Sequence, residues 1–190
     1  MSKRLLIPLL LLLPLPSVGQ TMTVEADVQV KILLKVLTYD RQFESKAAPL
    51  LKIGIVYVES DAASVKAADE IGTTLNKYKD KPIKKIPFSY VMVKYTTSGE
   101  VEQKLKAEGI NLLYVAPGNT KNLADLVRIS QAHKVTTMTG IREYVVRDKG
   151  LSIGVAFERD KPRIYINLPS SKSEGSEFDA SLLQIAEVQK

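Results

Sequence analysis

A single histidine and no cysteine leave few side chains able to do nucleophilic or acid–base chemistry near neutral pH. His133 falls in the last turn of an expected helix, beside Lys134, where a cation complements the helix dipole. That position predicts a structural histidine. A Ser-His-Asp triad would have to use it, and the one G-x-S-x-G match, at 150–154, opens an alternating strand pattern rather than a strand-to-helix elbow. Thiol catalysis, thiolate metal sites and redox exchange are ruled out by composition. Carboxylates alone remain for a transition metal, without any Glu-x-x-His pair. There is no Walker A loop and no G-x-G-x-x-G turn. The residues therefore predict a protein with no catalytic group, no metal and no cofactor.

Ligand chemistry would have to come from backbone and small polar groups. In open α/β sheets such groups gather outside the carboxyl ends of the strands. Here those ends are Glu59-Ser60-Asp61, Pro117-Gly118-Asn119-Thr120 and Thr137-Met138-Thr139-Gly140. Helix N-termini with free N–H groups follow the first two. Ser60, Asp61, Gly118, Asn119, Thr120, Thr139 and Gly140 thus form a candidate crevice for a small anion. The same residue types also serve as ordinary caps and turns.

The strands and helices that would carry these loops alternate. Residues 25–38 read as a helix with Ala26, Val30, Leu33, Leu34 and Leu37 on one face. Val28 and Ile32 sit nearly opposite, so the helix is apolar on two sides, and the second side is a candidate partner-binding or self-association face. Residues 40–49 read as a polar loop. Leu51–Val58 is a nearly continuous apolar strand, as in a parallel sheet covered on both faces. Ser60 or Asp61 caps the next helix, with Ala68, Ile71, Leu75 and Tyr78 inward. Strands follow at 88–95, 111–116 and 135–139, with helices between them. Thr97-Ser98-Gly99-Glu100 is a capping box and Gly109 a helix stop.

After residue 140 the period changes. Leu151, Ile153, Val155 and Phe157, then Ile164, Ile166 and Leu168, alternate with mostly small or polar residues around Arg159-Asp160-Lys161-Pro162. That is the pattern of an antiparallel hairpin. A Ser-rich loop over 169–176 and a closing helix over 178–188, with Leu182, Leu183 and Ala186 inward, complete the chain. The expected fold is α/β: three layers, a mostly parallel sheet with helices on both faces, and a C-terminal antiparallel hairpin at one edge.

The N-terminus reads as an export signal. Lys3 and Arg4 precede the apolar run Leu5–Leu15, and Ser17-Val18-Gly19 supplies small residues before Gln20. The run is about 11 residues, whereas a bilayer span takes about 20. Residues 1–19 are thus expected to be cleaved, leaving 20–190 as one domain with no membrane insertion. The formal charge of +6 falls to +4 without Lys3 and Arg4. The densest basic patch, Lys77, Lys79, Lys81, Lys84 and Lys85, lies on no nucleic-acid-binding module, and an exported protein meets little nucleic acid. It reads as a solvated helix end and loop, with weak attraction to an anionic surface as the alternative.

Four stretches carry a family resemblance. These are Met138-Thr139-Gly140, Lys149-Gly150-Leu151-Ser152-Ile153-Gly154, Arg163-Ile164-Tyr165-Ile166-Asn167-Leu168, and Leu182-Leu183 with Ala186. Together they resemble the YfiR/HmsC-like family, in which a Gly-rich segment leads into a hairpin ending in an Ile-Asn-Leu motif, closed by a helix with paired leucines. Leu51–Val58 and the -LLYV- strand also match. The aromatic Phe/Tyr-Trp-Pro pattern after the family's first helix is replaced here by Lys35-Val36-Leu37-Thr38-Tyr39-Asp40, and the cysteines of some members are missing.

The resemblance implies a periplasmic α/β protein, exported by the Sec pathway and without catalytic function. Its best-known members bind the periplasmic sensory region of a membrane diguanylate cyclase and hold it inactive, which controls cyclic-di-GMP and biofilm formation. Asn167 matches the family asparagine, and its expected job is to satisfy backbone groups at the strand end. The leading expectation is a regulatory protein acting on a membrane sensor, with homodimerisation open. A small-molecule binding protein using the strand-end crevice is the alternative, and an enzyme is the least supported class.

Overall fold

The computed structural model describes residues 22–159 and 161–190. The expected export signal and its cleavage point lie outside the described residues. Near the N-terminus α1 (Ala26–Leu37) and the short α2 (Phe43–Ala47) precede β1 (Leu51–Tyr57). The alternating part follows as α3 (Ala62–Tyr78), β2 (Phe88–Lys94), α4 (Ser98–Glu108), β3 (Leu112–Val115), a 3-10 turn (Thr120–Asn122), α5 (Leu123–His133) and β4 (Thr136–Thr139). The C-terminal third consists of α6 (Arg142–Val145), β5 (Ile153–Glu158), β6 (Lys161–Asn167), α7 (Leu168–Ser173), α8 (Ala180–Ile185) and β7 (Glu187–Gln189).

The strands form one sheet in the order β2-β1-β3-β4-β5-β6-β7. Every neighbouring pair is parallel except the β5–β6 hairpin, where Ile153 faces Ile166 and Val155 faces Ile164. Two apolar cores flank the sheet. One lies under α1, α3 and α8 and contains Leu33, Leu37, Ile71, Leu75, Ile55, Tyr114, Ile166 and Leu182. The other lies under α4, α5 and α6 and contains Leu105, Leu126, Ile129, Leu113, Tyr144 and Leu151. Both faces of the central strands are therefore dry, which is why β1 and β3 read as continuous apolar runs.

Local chemistry sets the boundaries. Asp61 caps α3 by accepting from the N–H groups of Ala63 and Ser64 at 2.9 and 3.1 Å. Thr97 caps α4 through the Glu100 N–H, while the Glu100 carboxylate accepts from the Thr96 hydroxyl rather than reaching back to Thr97. Gly109 ends α4 at φ +64°, a left-handed conformation that glycine adopts without a Cβ clash.

Several boundaries differ from expectation. The inward face of α1 is Gln29, Val30, Leu33, Val36 and Leu37; Ala26 and Leu34 are only partly buried. The turn is set by Gln29, whose side chain is swallowed into the interior by a hydrogen bond from the Tyr114 hydroxyl. The polar loop over 40–49 holds α2, because Phe43 and Ala47 are buried. The Ser-rich loop over 169–176 is α7 and its C-terminal continuation. Pro169 sits in the first turn of that helix, and Asn167 caps it by accepting from the Ser170 N–H. The closing helix stops at Ile185, and the chain then pairs as β7 along β6, one strand outside the hairpin.

Candidate functional site

The sheet order places the topological switch between β1 and β3, since β2 lies on one side of β1 and β3 on the other. The loops that leave these strands touch. Gly118 has φ +82°, and a Cβ there would stand 2.5 Å from Asp61 Oδ2. The Asp61 carboxylate itself takes the free N–H groups at the start of α3, so its negative charge occupies the position an anion would seek. Asn119 is fully buried; its amide donates to the Ala116 carbonyl at 3.0 Å and accepts from Asn122 at 3.0 Å. The Thr120 hydroxyl lies 3.3 Å from that of Tyr144. Ser60 is exposed on the loop.

One strand further, Thr139 is interior. Its hydroxyl donates to the Val115 carbonyl and accepts from the Ile141 N–H. Gly140 lies directly beneath Gln29 of α1, so close that no Cβ would fit. The Gln29 carbonyl oxygen accepts from Tyr114, while its amide nitrogen is buried with no partner. Burial also drives the Tyr114 phenol far above its ordinary pKa. Asp61, Gly118 and Asn119 are thus brought together, and Thr139 and Gly140 are roofed by α1. Asn167 sits at the end of β6 with its amide donating to the Val145 and Arg147 carbonyls, both at 3.0 Å.

A second polar centre lies toward the other ends of the strands. Glu174 is fully buried just after α7. Its carboxylate accepts from Ser130 Oγ, Thr137 Oγ1 and the Thr137 N–H, each at 2.8 Å, and from Ser152 Oγ. Burial raises its pKa, against the pull of these donors. Nearby, Lys46 Nζ donates to Thr136 Oγ1, the Glu174 carbonyl and Ser176 Oγ at 2.6, 2.8 and 3.0 Å, and burial lowers its pKa. Sequence patterning missed this centre because serines and a glutamate in a row carry no apolar period. His133 ends α5 and meets Glu102 of α4 at 2.9 Å. Lys106, and then His133, hold that carboxyl down at about 2. Among the described residues no cluster of three or more His, Asp or Glu is placed to hold a metal ion.

The outer side of α1 is different in kind. Val28 and Ile32 are half-buried against the core edge. Ile32 lines an open apolar groove of about 340 Å³ between α1 and α8, over β6. Its other apolar walls are Val36, Tyr39, Ile164, Leu182 and Ile185, and Lys31 and Lys35 stand at its rim. Ile185 is 62% exposed, the most exposed large apolar residue among those described. Lys31 is tied to Asp27 at 2.7 Å, and Lys35 lies over the Tyr39 ring at 5.4 Å. Val28 does not line the groove. No described helix is long and apolar enough to cross a membrane.

A three-layer sheet with a switch point between β1 and β3 is a doubly wound α/β architecture, and solved structures share this fold. The chain is similar to the ABC domain in complex with L-Trp from Streptococcus pneumonia, with TM-score 0.60 and 15% identity over 87% of this chain. It is similar to a conserved domain protein from Vibrio cholerae O1 biovar El Tor, with TM-score 0.62 and 14% identity over 87%. It also resembles the ligand-free, open form of a substrate binding protein with adhesive properties from Clostridium difficile, with TM-score 0.58 and 18% identity over 88%. The chain spans 60% of the length of each of these structures. No curated protein matches the sequence. The chain belongs to the YfiR/HmsC-like family, whose model matches residues 26–187. That is a family of periplasmic regulatory proteins rather than catalysts.

Proposed function

We propose that this protein is an exported, non-catalytic regulator that binds the periplasmic sensory part of a membrane signalling protein, such as a diguanylate cyclase, and holds it inactive. The observation that carries the reading is the groove beside Ile32, with Ile185 left 62% exposed at its edge. An exposed large apolar side chain at the edge of a partly buried apolar groove supports a contact surface there. By contrast, the polar side chains at the strand ends and around Glu174 are engaged with one another. Family membership supports a regulatory role through a protein partner. Val28 extends the same side of α1, and a second copy of the chain is a competing occupant.

The test is made in cells lacking the protein. Its removal is expected to raise cyclic-di-GMP and biofilm formation, and the wild-type chain to restore both. A chain carrying Ile32→Asp and Ile185→Asp is expected to be exported, to fold and to fail in restoration. Cross-linking from position 185 should capture a membrane protein with a cyclase domain. Unchanged cyclic-di-GMP together with capture of only a second copy would overturn the reading.

A further inference from the structure

The sheet face opposite α1 carries a second, larger concavity. It is an open trough of about 1150 Å³ along the outer side of α5. One wall is α5, where Ala124 and Ala132 keep the surface low on either side of Arg128. The other wall is the segment joining α6 to β5, which carries Arg147, Asp148 and Lys149. Leu123 and Val127 lie buried beneath the trough, its exposed apolar surface comes from Ala124 and Ala132, and Pro169 closes one end.

The charge in this trough is lopsided. Lys121, Arg128, Arg147 and Lys149 face a single carboxylate, Asp148. Among the described residues Lys121, Arg147 and Lys149 form no ion pair, and Arg128 has only a long one, 3.9 Å to Glu102. The lysines of neighbouring α4 are spent locally, Lys104 on Glu108 and Lys106 on Glu102. Four cations held around one trough repel each other and lower the cost of bringing an anionic partner in.

We infer that this trough docks an acidic segment of a partner protein, one that alternates carboxylates with apolar side chains. Shape and chemistry select that occupant. The trough is open and larger than the roughly 300–1,000 Å³ pockets that close around small ligands, so a free small anion would leave most of it empty. A flat lipid surface cannot follow its floor between two walls. Nucleic acid would find no stacking aromatic among the residues that line it. The carboxylates of a peptide would meet Arg128, Arg147 and Lys149 at the rim while its apolar side chains cover Ala124, Ala132 and Pro169. The trough and the Ile32–Ile185 groove lie on opposite helical layers, so the inference stands apart from the reading of α1.

Fluorescence anisotropy on the purified chain tests it, with a dye-labelled peptide of alternating Glu and Leu as probe. The acidic peptide is expected to bind at low ionic strength and to weaken steeply as salt is added. The Lys/Leu counterpart is expected not to bind. Arg147→Glu combined with Lys149→Glu should weaken the acidic peptide at least about tenfold. Lys66→Glu, whose side chain is 78% exposed on the other layer, and Ile185→Asp should leave it unchanged. Absence of binding at low salt, equal binding by the double variant, or equal loss with Lys66→Glu overturns the inference. Binding of phosphatidylglycerol vesicles through Arg147 and Lys149, without the peptide, overturns it in favour of a lipid surface.

Discussion

The Glu174 centre and the Ile32–Ile185 groove are opposites. In the first, a buried carboxylate has four donors from three segments: Ser130 on α5, Thr137 on β4 through its backbone and side chain, and Ser152 before β5. In the second, aliphatic side chains face water over a shallow hollow. The first holds its polar groups engaged inside, whereas the second presents apolar surface with Lys31 and Lys35 at its rim.

The contrast can be broken from the inside first. Glu174→Ala leaves several buried donors without an acceptor and should cost roughly 3 kcal/mol or more, read as a lower urea midpoint at unchanged slope. Asn167→Ala removes the cap of α7 and two carbonyl contacts, and should cost about 2 kcal/mol in the same assay. A smaller effect is a pH dependence. Burial raises the folded-state pKa of Glu174 above its ordinary 4.5, so its contribution is fully present below that value. It is lost as pH rises through the folded value. The stability of the wild type relative to Glu174→Gln should therefore fall as pH rises above 4.5; a flat difference would show that its donors hold it ionised throughout. Smallest of all, Ile185→Asp should move stability by no more than about 0.5 kcal/mol while weakening restoration of low cyclic-di-GMP in cells lacking the protein. A large loss of stability there would make Ile185 a core residue and remove the contrast.

β1 and β3 were legible because burial on both faces writes itself as nearly continuous apolar runs. The β5–β6 hairpin was legible because apolar alternation resumes after a short polar segment, although Lys161 and Pro162 of that segment pair in β6 with Glu158 and Phe157. The strand-end loops were located correctly, but what fills them was not visible. Nothing local says that Gln29, on a helix far earlier in the chain, lies against Gly140. The Ser-rich stretch misled for a related reason. Ser170, Ser171, Glu174 and Ser176 are buried, yet polarity in sequence looks the same whether water or a neighbouring hydroxyl satisfies it. The groove was half legible: Ile32 stood out on the far side of α1, while Ile164 and Ile185 joined it only through the sheet order. The trough on α5 gave no signal, because its basic residues come from three separate segments.

The seat of α1 also fixes an order of events. The Thr23 hydroxyl accepts from the Phe157 N–H across 134 residues of chain, and the Tyr114 hydroxyl reaches Gln29 across 85. A polypeptide is made from its N-terminus, so this helix is the first described segment to be synthesised and waits for almost all the rest before its resting place exists. During that interval both of its apolar sides are bare. The helix that carries Ile32 is therefore also the segment most in need of a chaperone's cover while the chain is incomplete.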